Sequence, residues 1–268
     1  LCSDTGRVLG SAVRADLTVT FIGLKRGLFT LHAPDYTGAV EFSDLAVPAE
    51  VYAAVPVECS RLDLQPLLER LPARPATAHK GLYGTVLVVG GDYGMAGAVA
   101  LAAEAALRCG AGLVQVATRP EHVAALVART PEAMPRGISS ASEFAPMLAA
   151  ADVIVVGPGL GQSPWSIELL QLVLASGKPL VLDADGLNLL ANGALGEIGR
   201  TDNWILTPHP GEAARLLSLT TAEVQADRFA AVDALQARYG GVVILKGNGS
   251  LISDGECALL SDYGNPGM

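Results

Sequence analysis

Residues 79–97 read HKGLYG, TVLVV, GGDYGMAG, that is His79–Gly84, Thr85–Val89 and Gly90–Gly97. Thr85–Val89 is apolar and mostly β-branched, the composition of a buried strand. Gly90, Gly91, Gly94 and Gly97 let the backbone turn tightly and approach a ligand. From Met95 to Arg108 the chain is rich in Ala and Leu and reads as a helix. In a strand, glycine loop and helix, the loop amides and the helix N-terminus face one point where an anion is favoured. An ordinary glycine turn of an α/β protein has the same local sequence.

Beyond this stretch, strand and helix patterns alternate. Strands are predicted at 85–90, 113–117, 152–157, 179–183, 203–207, 242–246 and 250–253. Helices are predicted at 95–109, 120–129, 142–150, 163–176, 185–192, 210–217 and 221–239. Near-continuous apolar strands such as 152–157 predict a parallel sheet with helices on both faces. Thr220 and Glu223 form a capping box opening the last long helix. Gly247–Gly249 is a hairpin-type turn joining the final strands, so the sheet is mixed at that edge. Residues 1–57 differ: Ala15–Ile22, Ala39–Phe42 and Val51–Val57 read as short strands, with too little apolar mass for a core of their own. Residues 58–78, with Pro66, Pro72 and Pro75 after Pro56, read as a linker.

The chain has 268 residues, half of them apolar, and a net charge of −9. A negative chain without a basic run argues against nucleic acid as a partner. No apolar run is long enough to predict a membrane span. Cys2, Cys59, Cys109 and Cys257 lie far apart with no C-x-x-C, as reduced, mostly buried thiols of a cytoplasmic protein do. Leu1 and the loop-like Asn265–Met268 give both ends the look of a fragment.

In open α/β sheets ligands sit beyond the carboxyl ends of the strands. Those ends hold Gly90–Gly97, Gly157–Gly161 (GPGLG), Asp183–Asn188 (DADGLN), Thr207–Glu212 (TPHPGE) and Lys246–Ser250 (KGNGS). Gly157–Gly161 offers amides to a phosphate or ribose, or is a tight turn. Asp183 and Asp185 suit a hydrated Mg²⁺, or Asp185 caps the next helix. His209, between two prolines, suits a phosphate donor or proton shuttle, or stands idle at the surface. Glu212 suits a metal or phosphate site, or simply the positive end of its helix. Lys246 suits pairing with phosphates beside the turn amides, or is a solvated lysine on a hairpin. There is no G-x-x-x-x-G-K-S/T, and Gly91, Gly94 and Gly97 do not make G-x-G-x-x-G. Arg119, not an acid, ends the second strand, which disfavours an ordinary NAD-binding domain.

Together, His79–Gly81, Gly90–Ala98, Gly157–Gly161, Asp183–Asn188, Thr207–Glu212 and Leu245–Ser250 resemble, in order and spacing, the ADP-dependent NAD(P)H-hydrate dehydratases. The resemblance covers residues 79–268 and implies a ribokinase-like α/β fold. Residues 1–57 resemble the end of the NAD(P)H-hydrate epimerase domain that precedes the dehydratase in bifunctional repair enzymes, an isomerase fused to a lyase. The implied reaction is metabolite repair. The S form of hydrated NADH or NADPH (NADHX, NADPHX) is dehydrated at the expense of ADP, giving AMP and phosphate. Ala98, Gly159, Gly161 and His209 would contact the hydrated dinucleotide. Lys246, Gly247, Asn248, Gly249 and Ser250 would hold the nucleotide phosphates, and Glu212 would stand near Mg²⁺. The resemblance also implies a homo-oligomer.

In the family, a Gly-rich turn ending in Gly-Asp follows Asn265–Met268 and supplies the anion hole and catalytic base. No residue up to Met268 takes that role, so weak nucleotide binding and poor turnover are expected of the chain as it stands. The alternatives are a ribokinase-fold small-molecule kinase and a non-catalytic nucleotide-binding module.

Overall fold

The computed structural model describes residues 1–264; Asn265–Met268, expected to be a loop, lie outside them. The chain forms two compact units: residues 1–70 with those from His209 onward, and Leu71–Pro208.

The first unit begins with β1 (Leu17–Phe21), α1 (Pro34–Thr37), β2 (Ala39–Ser43), α2 (Ala49–Ala54), β3 (Cys59–Arg61) and α3 (Leu64–Glu69). β1 and β2 are a parallel pair standing alone, and Leu17, Val19, Phe21 and Phe42 are exposed on it. The strand expected over 51–57 is instead a helix, α2, with Pro48 at its N-cap. Proline's fixed φ suits a helix entry better than the middle of a strand. The expected linker over 58–78 contains β3 and α3, the latter capped by Asp63, whose carboxylate accepts from Gln65 N–H.

The second unit carries β4 (Thr85–Val89), α4 (Ala96–Arg108), β5 (Leu113–Thr118), α5 (Val123–Arg129), β6 (Met134–Gly137), α6 (Ala141–Ala150), β7 (Val153–Val156), α7 (Pro164–Ala175), β8 (Leu180–Leu182), α8 (Ala184–Ala191) and β9 (Trp204–Leu206). These strands form a parallel sheet in the order β9-β8-β7-β4-β5-β6. β4 leads to one side and β7 to the other. Right-handed crossovers therefore place α4 and α5 on one face and α6, α7 and α8 on the opposite face. In agreement, α4 packs on β4, β5 and α5, and α6 packs on β4, β5 and α7. Val88, Val99, Ala103, Val114, Val116 and Leu126 fill the core under α4.

The first unit resumes with α9 (Pro210–Leu217), α10 (Thr221–Ala226), α11 (Arg228–Tyr239), β10 (Val242–Leu245), β11 (Ser250–Ser253) and β12 (Ala258–Ser261). β10-β11 and β11-β12 are antiparallel and β12-β3 is parallel, which gives the expected mixed sheet. α11 covers β10 and β11, burying Phe229, Val232, Leu235 and Tyr239 against Val243, Leu245 and Leu251. The single helix expected over 221–239 is two. Asp227 leaves helical geometry (φ −147°, ψ 94°), and its carboxylate caps α11 by accepting from Ala230 N–H. The cysteines, expected to be mostly buried, are not: Cys109 is exposed, and Cys2, Cys59 and Cys257 are only half-buried.

Candidate functional site

In the second unit the chain reverses its direction of winding between β4 and β7, the place where open α/β sheets bind ligands. The two loops that follow these strands are laced together by backbone hydrogen bonds. Gly91 N–H donates to Pro158 O at 3.1 Å and Asp92 N–H to Gly159 O at 2.6 Å. Gly159 has φ +58°, and a Cβ there would stand 2.8 Å from the Met95 Cβ and 3.1 Å from the Ala98 Cβ. Only glycine allows that approach. Ala98, Gly159 and Gly161 are thus gathered at the mouth of β4 and β7.

Three residues that the sequence reading did not single out as partners support this crevice. Asp92 accepts from Arg119 Nε at 2.7 Å, from Ser163 Oγ at 3.1 Å and from Tyr93 N–H at 2.9 Å. Burial pushes the Asp92 carboxyl up, but the bonds from Arg119, Tyr93 and Ser163 outweigh it and hold the group below the ordinary carboxylate range. The Arg119 guanidinium lies over two rings, its Cζ 4.6 Å from the Tyr93 centroid and 4.1 Å from that of Trp165. The arginine noted at the end of the second strand is therefore the partner of the acid in the glycine loop.

Asp183 and Asp185 have structural work. Asp183 stands at the N-cap of α8, and its Oδ1 accepts from Thr207 Oγ1 at 2.8 Å. The Asp185 Oδ2 accepts from Gly161 N–H at 2.9 Å, so this carboxylate ties α8 to the β7 loop rather than capping its own helix.

In the first unit His209, Glu212 and Lys246–Ser250 come together. His209 is the N-cap of α9, its Nδ1 accepting from Gly211 N–H at 2.9 Å and Glu212 N–H at 3.4 Å. The Glu212 Oε2 reaches back to His209 N–H at 2.8 Å, so His-Pro-Gly-Glu is a capping box with histidine in the usual Ser/Thr place. Nδ1 as acceptor leaves the ring proton on Nε2, which lies 3.3 Å from Glu212 Oε1. The His209 side chain is half exposed, whereas Glu212 is buried. The Lys246 Nζ stands 4.0 Å from Glu212 Oε2.

Among the described residues no group of three His, Cys, Asp or Glu side chains could hold a metal. The Glu212 oxygens are already engaged by His209 and Lys246, so the donor set fits no resident inner-sphere ion. It is compatible with a Mg²⁺ that arrives on nucleotide phosphates, since such ions keep several waters. No helix among the described residues is long and apolar enough to cross a membrane.

Residues 86–268 match the NAD(P)H-hydrate dehydratase family. The bifunctional NAD(P)H-hydrate repair enzyme Nnr of Coxiella burnetii is 51% identical over 99% of this chain and 54% of its own length. The corresponding Escherichia coli protein is 43% identical over 100% of this chain and 51% of its own. The chain thus spans about half the length of these curated relatives. Among solved structures, the ADP/ATP-dependent NAD(P)H-hydrate dehydratase from Bacillus subtilis, co-crystallised with ATP and Mg²⁺, matches with a TM-score of 0.64 and 30% identity. That match covers 77% of this chain and 73% of the other. A ribokinase-like superfamily protein from Enterococcus faecalis matches with a TM-score of 0.72 at 30% identity, over 80% of this chain and 75% of the other. The fold is ribokinase-like, and the chain belongs to the NAD(P)H-hydrate dehydratase family.

Proposed function

We propose that this chain carries the dehydratase activity of an NAD(P)H-hydrate repair enzyme. It would use ADP to return the S form of NADHX or NADPHX to NADH or NADPH. The observation that carries the reading is the family match over residues 86–268, a range that includes the β4 and β7 loops and the Lys246–Ser250 turn.

The hydrated ring carries a hydroxyl that is a poor leaving group. Transfer of the terminal phosphoryl group of ADP to that hydroxyl gives AMP and a phosphate ester. Loss of phosphate, with a proton from the neighbouring ring carbon, then restores the double bond. In this scheme Ala98, Gly159, Gly161 and His209 bind the hydrated dinucleotide. His209 presents its half-exposed ring while its Nδ1 stays with α9. Lys246 and the Gly247, Asn248, Gly249 and Ser250 segment hold the nucleotide phosphates, where positioning and charge stabilisation do most of the work of phosphoryl transfer. A Mg²⁺ carried by those phosphates would offset their charge, and Glu212 would act on it through water. Residues 79–268 form the dehydratase domain in this reading. Residues 1–57 are the last part of an epimerase domain, for which the lone β1-β2 pair with its exposed apolar side chains is the support. A cytoplasmic, homo-oligomeric protein completes the proposal, and the free thiols of all four cysteines suit a reducing compartment.

The test is recovery of the dihydronicotinamide absorbance band from (6S)-NADHX with Mg²⁺ and ADP, ATP or no nucleotide, using the full-length protein. Nucleotide-dependent recovery with release of AMP and phosphate is expected with ADP. A folded protein that gives no recovery, or that leaves a stable phosphorylated product, overturns the reading in favour of a kinase.

A further inference from the structure

One buried residue gathers two carbonyl oxygens of the Lys246–Ser250 turn and that of Leu245 before it. Arg228, the first residue of α11, is 1% exposed. Its Nη2 donates to Leu245 O at 3.2 Å and Gly249 O at 3.1 Å. Its Nη1 donates to Lys246 O at 3.4 Å and to Gln225 Oε1 at 3.2 Å. Gly247 has φ +145°, and a Cβ there would stand 2.5 Å from Arg228 Nη1, so the turn closes directly onto the guanidinium. The remaining carbonyls are also held. Asn248 O accepts from Leu31 N–H at 3.1 Å and Thr30 Oγ1 at 3.0 Å, and Gly247 O accepts from Ser250 Oγ at 3.2 Å. No described residue accepts from the Asn248 or Gly249 amides.

We propose that Arg228 is a positioning residue for this turn. Its buried guanidinium fork holds the Leu245, Lys246 and Gly249 carbonyls and so fixes both ends of the turn. Thr30 and Leu31 hold the Asn248 carbonyl from the other side, and the Gly249 N–H of the same peptide is thereby turned out for an incoming phosphate. This rests on the reading that the turn takes nucleotide phosphates. Two physical arguments support it. A peptide group that turns its C=O inward turns its N–H outward, and successive outward amides make an anion nest. Second, among the described residues no carboxylate pairs with the Arg228 guanidinium. A buried cation compensated only by carbonyl dipoles is costly, and phosphate over the turn supplies the missing opposite charge. Burial lowers the Arg228 pKa to about 10, which leaves it charged at neutral pH.

The test compares wild type with Arg228→Met, Arg228→Lys and Thr30→Val in the full-length protein. It reads ADP and ATP affinity, kcat and KM for nucleotide and for NADHX, and amide exchange over 245–250. Arg228→Met is expected to lose about tenfold to a hundredfold in nucleotide affinity. KM for NADHX should stay within about twofold, and exchange should quicken at the turn. Arg228→Lys keeps the charge but not the fork and should recover part of the loss. Thr30→Val should show a smaller loss of the same kind. If Arg228→Met does not fold, Arg228→Lys decides on the same readouts. Unchanged nucleotide affinity with unchanged exchange at the turn overturns the proposal, as does an equal loss for both ligands. Failure of the wild type to bind ADP or ATP overturns the phosphate reading instead. The exchange measurement then still decides whether Arg228 holds the turn.

Discussion

Replacing Glu212 separates two roles that the structure superimposes on one carboxylate. Its Oε2 accepts from His209 N–H at 2.8 Å, and its side chain is 5% exposed. In Glu212→Ala the His209 amide loses its acceptor and α9 loses half of its capping box. Leaving such a donor unsatisfied costs about 1–3 kcal/mol, and loss of a cap costs about 1 kcal/mol. The two overlap because the capping bond is the lost bond, so the expected destabilisation is about 2 kcal/mol. In a chain of this size that lowers Tm by roughly 4–8 °C. Glu212→Gln keeps an oxygen able to accept from His209 N–H and gives up the attraction to Lys246 at 4.0 Å and the Oε1 that faces His209 Nε2 at 3.3 Å. Its cost should stay below about 1 kcal/mol. Thermal and urea denaturation of the three proteins reads this directly. An alanine variant as stable as wild type would refute the capping argument. A glutamine variant as unstable as alanine would show that charge, not the hydrogen bond, does the holding. The same glutamine variant tests the metal role on a folded protein. If Glu212 acts on Mg²⁺, half-maximal activity should need about tenfold more Mg²⁺ in Glu212→Gln. An unchanged Mg²⁺ dependence refutes that role and leaves Glu212 as a cap.

Other outcomes follow from the second unit. Gly159→Val places a branched side chain against Met95 and Ala98 at φ +58°, so KM for the hydrated dinucleotide should rise at least about tenfold while nucleotide affinity is nearly unchanged; equal effects on both ligands would contradict the assignment of this loop. Asp92→Asn should cost about 2 kcal/mol at neutral pH because Arg119 is left without its carboxylate. The Asp92 carboxyl is held below its ordinary value of 3.8, so its contribution is full above that pH and is lost as pH falls through the lower folded value. The stability gap between wild type and variant, read by urea denaturation, should therefore close in acid; a gap that stays constant down to pH ~2 would show that the ion pair is not its source.

Where the candidate site is made of backbone, it is readable in the sequence. The glycine loop after β4, the Gly157–Gly161 loop and the Lys246–Ser250 turn lie where expected, because glycine spacing after an apolar strand is a local signal. β6 was missed because Met134–Gly137 contains Pro135 and Gly137, which break strand patterning and are tolerated at a sheet edge. The break at Asp227 was missed because hydrophobic spacing continues from α10 into α11 across it. The His209 role was half legible. Proline at the first helical position and Glu212 at the third mark a capping box, but a histidine at its head does not match the usual residues.

The groups that hold those backbone segments in shape come from far along the chain, and no local pattern announces them. Arg119 reaches Asp92 from 27 residues away, Thr30 reaches Asn248 from 218, and Arg228 reaches Gly249 from 21. Arg228 illustrates the limit. Following Asp227 at a helix start, it has the sequence context of a solvated surface arginine, and it is buried to 1% exposure. A loop of small residues can bind an anion only if its carbonyls are turned away. That requires donors around it; the turn's own Ser250 serves Gly247 O, and the other carbonyls take donors from elsewhere in the chain. A buried arginine or threonine under such a turn is therefore what the turn itself demands. The sequence shows the turn at Gly247–Gly249, and only the structure shows that Arg228 and Thr30 donate to the carbonyls around it.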